Sequence, residues 1–112
     1  MSPLNAYAKG GRNQRRAKRY YESEGYEVEV VRYSKWAKNK DYFGLWDLIV
    51  VGPNDIRFVQ VKTNAKPDKE WMEKAEKWGP KKSWCIKEYI VYRDYWKGDS
   101  PTIRVMFPPT GF

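Results

Sequence analysis

The sequence predicts an α/β fold: a helix, three strands, a second helix and two further strands, with a mixed central sheet flanked by the helices. Three observations predict it. Segments 12–24 and 67–78 carry apolar residues at helical spacing, and a glycine follows each. Runs 45–51 and 56–62 are apolar, of strand length, and separated by the turn cluster Gly52-Pro53-Asn54-Asp55. Finally, a chain of 112 residues that is 41% hydrophobic and 17% aromatic has enough apolar mass for one core and one domain.

The elements follow in order. Residues 1–11 read as a flexible basic arm ending in the breaker pair Gly10-Gly11, and residues 12–112 as a single domain. In the first helix, Gln14, Ala17, Tyr21 and Glu24 share a face, and Gly25 stops it. Tyr26, Val28 and Val30 alternate with Glu27, Glu29 and Val31, which predicts a half-buried strand over 26–32. A lysine-rich loop with aromatic interruptions spans 34–44. The apolar runs 45–51 and 56–62 then form a hairpin. Trp71, Ala75 and Trp78 give the second helix an apolar stripe, and Gly79-Pro80 ends it. Tyr89 to Tyr92 lies in a further strand, and the last strand falls near 102–107.

Composition removes several kinds of chemistry. There is no histidine, hence no Ser–His or Cys–His catalysis and no histidine-ligated metal. The single cysteine, Cys85, excludes an internal disulfide and cysteine-rich zinc or iron–sulfur sites, and its apolar neighbours predict a buried, inert thiol. No apolar stretch approaches the ~18 residues of a membrane span, and the N-terminus has no signal-peptide core, so a cytoplasmic protein is expected. With 22 Lys+Arg against 14 Asp+Glu, the net charge is +8, which suits a polyanionic partner. Lys9, Arg12, Arg15, Arg16, Lys18 and Arg19 occur in the first twenty residues without one acid.

One grouping carries chemistry. Asp47 is an acid in an apolar run, which is costly without a partner or a metal. Gln60 and Lys62, two apart on the next strand, point to one face. The hairpin brings Asp47 towards both. Asp47, the Gln60 side-chain oxygen and the Val61 carbonyl are hard ligands suited to a divalent ion, which assists phosphodiester hydrolysis. Lys62 can orient a water, stabilise charge on the phosphate, or act as a base if its pKa is depressed.

The stretch Gly44-Leu45-Trp46-Asp47-Leu48-Ile49-Val50-Val51, followed by Phe58-Val59-Gln60-Val61-Lys62, resembles the core motif of PD-(D/E)XK nucleases, here Asp-x12-Gln-x-Lys. With the basic first helix and Gly25-Tyr26 through Val31-Arg32-Tyr33-Ser34, residues 9–63 resemble archaeal Holliday junction resolvases. The resemblance implies a restriction-endonuclease-like core and a homodimer that cuts branched DNA with Mg²⁺ or Mn²⁺. It also implies that Asp47 and Gln60 bind the metal and that Lys62 is the catalytic lysine. Gln14 stands where the family carries a glutamate on the first helix, Ser34 where it has the serine of a mobile loop, and Arg32 where an arginine precedes that loop. Arg15 or Arg16 matches its phosphate-contacting arginine. Two of the family's three carboxylates are amides here, at 14 and 60, and Asp41 and Glu22 are the candidate acids for compensation.

Other readings stay open. Asp47 also suits a structural acid paired to Lys62, and the basic run a solvated helix face. Trp71 and Trp78 read as core. Trp36, Tyr42, Phe43 and Trp46 suit stacking on unpaired bases, a core or a dimer interface. A catalytically inactive DNA-binding protein on the same fold and a small basic protein-interaction module are the alternatives to a nuclease.

Overall fold

The computed structural model describes residues 3–30 and 42–107, with side chains of the first helix described from residue 11. The elements are α1 (Pro3–Ser23), β1 (Glu27–Val30), β2 (Leu48–Val51), β3 (Ile56–Thr63), α2 (Lys69–Lys77), β4 (Cys85–Tyr92) and β5 (Ile103–Phe107). This is the expected α-β-β-β-α-β-β order. The five strands form one sheet in the order β1-β2-β3-β4-β5. Only β3 and β4 are parallel, as the α2 crossover between them requires; the other neighbours are antiparallel.

The sheet divides two apolar clusters. On one side α1 sets Ala17 and Tyr21 against Leu48, Val50, Val59, Ile90 and Tyr92. On the other, Ala75, Trp71 and Trp78 of the α2 region cover Leu45, Trp46, Phe58 and Phe107. Strand alternation explains the division along β3: Val59 and Val61 face α1, while Phe58 faces α2. Among the described residues no helix is long and apolar enough to cross a membrane.

Local chemistry fixes the ends of most elements. Past α1, Gly25 has φ +94°, Gly25 N–H donates to Glu22 O and Tyr26 N–H to Tyr21 O. That is the Schellman closure, and the Tyr21 and Tyr26 rings, 6.3 Å apart, supply its apolar contact. Asp68 caps α2 by accepting from Trp71 N–H at 2.8 Å. The hairpin turn occupies residues 52–55, as expected, and closes with Gly52 N–H on Asp55 O. A Cβ on Gly52 would lie 2.5 Å from the Tyr26 ring, so the close approach of β1 demands glycine there.

Two boundaries differ from expectation. Helix α1 begins at Pro3, not near residue 12, so Gly10-Gly11 lies inside it. Proline fits a first helical position because no N–H is needed there, and glycine weakens a helix without removing a hydrogen bond. Strand β2 begins at Leu48, not Leu45. Phe43 and Gly44 both have positive φ and turn the chain out of the sheet, with Tyr42 and Trp46 bridged across the turn. Leu45 and Trp46 are therefore apolar because they fill the α2-side core. Trp46 is fully buried and packs against Phe58, Trp71 and Trp78, which removes it from the surface available for base stacking.

Candidate functional site

Asp47 sits in the bend just before β2. Its N–H donates to Val59 O at 2.8 Å, continuing the ladder by one step. Beyond that step β2 has no residue to offer, while β3 runs on to Thr63. The Asp47 carboxylate fills the gap: Oδ2 accepts Val61 N–H at 2.9 Å. The carboxylate is thus held at the frayed end of the hairpin, 7% exposed.

Gln60 meets it there. Oriented to satisfy both neighbouring acceptors, its amide nitrogen donates to Asp47 Oδ2 at 3.3 Å and to Leu45 O at 2.6 Å. Leu45 O also accepts from Trp71 Nε1, so α2 packing fixes that carbonyl. Lys62, two residues along the same face, is half-buried and forms no ion pair among the described residues. Gln14 is buried on α1 beside Asn13, whose Nδ2 donates to Thr63 Oγ1 at 2.7 Å. That bond pins α1 to the end of β3, one residue past Lys62.

Chemically, the hairpin end holds one carboxylate and one amide whose terminal torsion decides whether it offers N–H or C=O. Turned over, Gln60 presents an oxygen to the spot that Asp47 also faces, and the pair suits a hard divalent cation. Among the described residues, no three His, Cys, Asp or Glu side chains cluster as a metal site. One carboxylate and one amide oxygen are fewer than the six donors of an octahedral divalent ion, so water would complete the shell of any ion held there. Glu22 does not add a carboxylate, being exposed and paired with Lys18 at 3.7 Å. Asp41, Ser34, Arg32 and Trp36, and the side chain of Lys9, lie outside the described residues.

The basic helix divides into two groups. Arg12 and Arg15 are exposed. Arg16 instead donates to Gly98 O at 2.5 and 2.9 Å, to Trp96 O at 3.1 Å and to Asn13 Oδ1 at 3.0 Å, and lies 4.4 Å over the Tyr92 ring. Arg19 grips Asp99 through two hydrogen bonds at 3.0 and 3.1 Å. Those bonds hold the Asp99 carboxyl below its ordinary range and the guanidinium above its own. Both arginines tie α1 to the β4–β5 turn.

Three features were missed in the sequence. Glu88, fully buried, accepts from Tyr21 Oη, Arg57 at 3.3 Å and Arg104 at 3.2 Å. Its signal was the one that marked Asp47: an acid in an apolar strand. Lys87, also buried, donates to Ala75 O, Glu76 O and Trp78 O at 2.7–2.9 Å, closing the end of α2. Burial, with help from Lys81, pushes its ammonium down to about 8. A cleft of about 290 Å³ opens between Arg12, Asn13 and Arg16 of α1 and Arg93, Asp94, Trp96, Lys97 and Gly98. Cys85 is buried as expected, and burial pushes its thiol up, away from reactivity.

Comparison with protein-family models, curated proteins and solved structures returns no match.

Proposed function

We propose that this chain is a metal-dependent DNA endonuclease with a restriction-endonuclease-like core, similar to a Holliday junction resolvase, that cuts branched or structured DNA as a homodimer. The observation that carries the reading is the meeting of the Asp47 carboxylate and the Gln60 amide at the hairpin end, with Lys62 next along the Gln60 face. The order of elements and the exposed arginines of α1 add support.

In this reading Asp47, the turned Gln60 amide and the Val61 carbonyl hold Mg²⁺ or Mn²⁺, and Gln14 is the remaining candidate oxygen. The bound ion supplies Lewis acidity at the phosphate and a more acidic water. Lys62 places positive charge where negative charge develops on the phosphate, and its ammonium protons orient the incoming water. Arg12 and Arg15 take backbone phosphates on either side, and each phosphate neutralised steepens the salt dependence of binding.

The test is cleavage of a four-way junction, a flap and a linear duplex, side by side, in Mg²⁺ and in Mn²⁺. The expected result is nicking of the branched substrates, stronger in Mn²⁺, and a gain of activity in Gln60→Glu as a second carboxylate joins Asp47. Cleavage that is indifferent to the metal would overturn the reading.

The donor posture of Gln60 favours a second reading, DNA binding without cleavage. An amide that hydrogen-bonds Asp47 leaves the acid structurally satisfied. Salt-sensitive DNA binding with no nicking in either metal is its signature.

A further inference from the structure

The turn after β4 leaves two aromatic residues in water, and one of them, Trp96, lines a basic cleft. Tyr95 is 75% exposed and Trp96 40% exposed. Leaving apolar ring surface uncovered forgoes the gain of burying it, and a turn needs no aromatic residues to form. Trp96 is also held in place. Its Nε1 donates to Ser100 O at 2.6 Å, its backbone N–H donates to Arg93 O at 2.9 Å, and its carbonyl accepts from Arg16. A fixed, exposed indole is a surface prepared for stacking. Tyr95 makes no hydrogen bond or ring contact among the described residues.

Charge identifies what stacks there. Arg12, Arg93 and Lys97 line the cleft together with Trp96, with Asp94 as the only acid lining it, and Tyr95 lies between Asp94 and Trp96 in the chain. Arg93 is anchored by a 2.6 Å hydrogen bond to Asn64 O, and Asp94 N–H bonds Asn64 Oδ1, so the cleft wall is joined to the residue after β3. Because β3 and β4 are parallel, with Lys62 opposite Val91 and Thr63 opposite Tyr92, the cleft and Lys62 lie at the same end of the sheet. In open α/β sheets, ligands favour the carboxyl ends of parallel strands.

We propose that this cleft binds an unpaired stretch of nucleic acid, with backbone phosphate against Arg12, Arg93 and Lys97 and a base stacked on Tyr95 or Trp96. Cations beside open aromatic faces are the combination that holds single strands without regard to sequence. Duplex DNA keeps its bases stacked and cannot use the rings. The proposal rests on the nucleic-acid half of the reading above and not on cleavage.

The experiment is an anisotropy titration of a labelled oligothymidylate and of a labelled duplex at several salt concentrations, with wild type, Tyr95→Ala, Tyr95→Phe and Lys97→Ala. Tyr95→Ala is expected to weaken oligothymidylate binding roughly 5- to 100-fold, in line with the loss of one stacked base, with duplex binding changed less than about twofold. Tyr95→Phe should restore it, and Lys97→Ala should flatten the salt dependence. Thermal melts matching wild type confirm that the turn is intact, as expected for a largely exposed side chain with no hydrogen bond or ring contact among the described residues. No binding of oligothymidylate by wild type, or equal losses on single strand and duplex in Tyr95→Ala, overturns the proposal. Oligothymidylate binding without junction cleavage would sink the nuclease reading and leave the cleft standing. Cleavage without single-strand binding would do the reverse.

Discussion

Glu88 shows how one buried charge organises a sheet. Register places Glu88 beside Val59 on one side and Met106 on the other, so Arg57 and Arg104, each two residues away on the neighbouring strands, reach it diagonally. Tyr21 reaches it from α1, and contact with Glu88, after burial itself, holds that phenol far above its ordinary value. Replacing Glu88 with Gln removes the buried charge that both guanidinium groups share, leaving Arg57 only Asp55 and Arg104 only Glu24, and should lower unfolding free energy by about 3 kcal/mol in urea titrations. Lys87 makes a pH prediction. Its three carbonyl partners favour the charged form, but burial prevails and sets the folded pKa near 8 against 10.5 ordinarily. The unfolded chain therefore binds this proton more tightly, and between about pH 8 and 10.5 unfolding takes up a proton at Lys87, so this group's contribution to stability rises with pH across that window. Thermal melts from pH 7 to about 10.5 should show this rise in wild type and its absence in Lys87→Met.

At the scale of elements, the legible features were those with a punctuating residue. The bounds of α2 followed from Asp68 and Gly79-Pro80, and the structure caps the helix at Asp68. Asp68→Ala should cost about 1 kcal/mol by chemical denaturation, since Trp71 N–H loses its acceptor. The hairpin turn was legible for the same reason. What misled was ambiguity in periodicity. Gly10-Gly11 looks like a break, yet glycine retains its N–H and α1 runs through it. The run 45–51 looks like one strand, yet its first residues serve a different core from its last. An apolar run states that residues are buried, not against what. Asp47 owes its position to that division: it stands where the chain re-enters the sheet, and the first free β3 amide is its partner.

For the whole molecule, charge and fold converge on one end of the sheet. The +8 surplus carries no location in the sequence. The fold sorts it: Arg16 and Arg19 bind the β4–β5 turn, while Arg12 and Arg15 remain on the surface. The approach of Asp47 to Gln60 was legible, because hairpin register follows from turn length. The cleft was not, because Arg12, Asn13 and Arg16 are far in sequence from Arg93, Asp94, Trp96, Lys97 and Gly98, and the fold joins them through Arg16 on the Trp96 and Gly98 carbonyls. The most direct measurement of the central claim is nicking of a four-way junction in Mn²⁺ by wild type and by Asp47→Asn, which keeps the acceptor for Val61 N–H but removes the charge. Nicking by wild type, lost in Asp47→Asn with its melting temperature unchanged, is the predicted result. An intact junction after incubation with a wild-type protein that binds it, or equal nicking by both proteins, would contradict it.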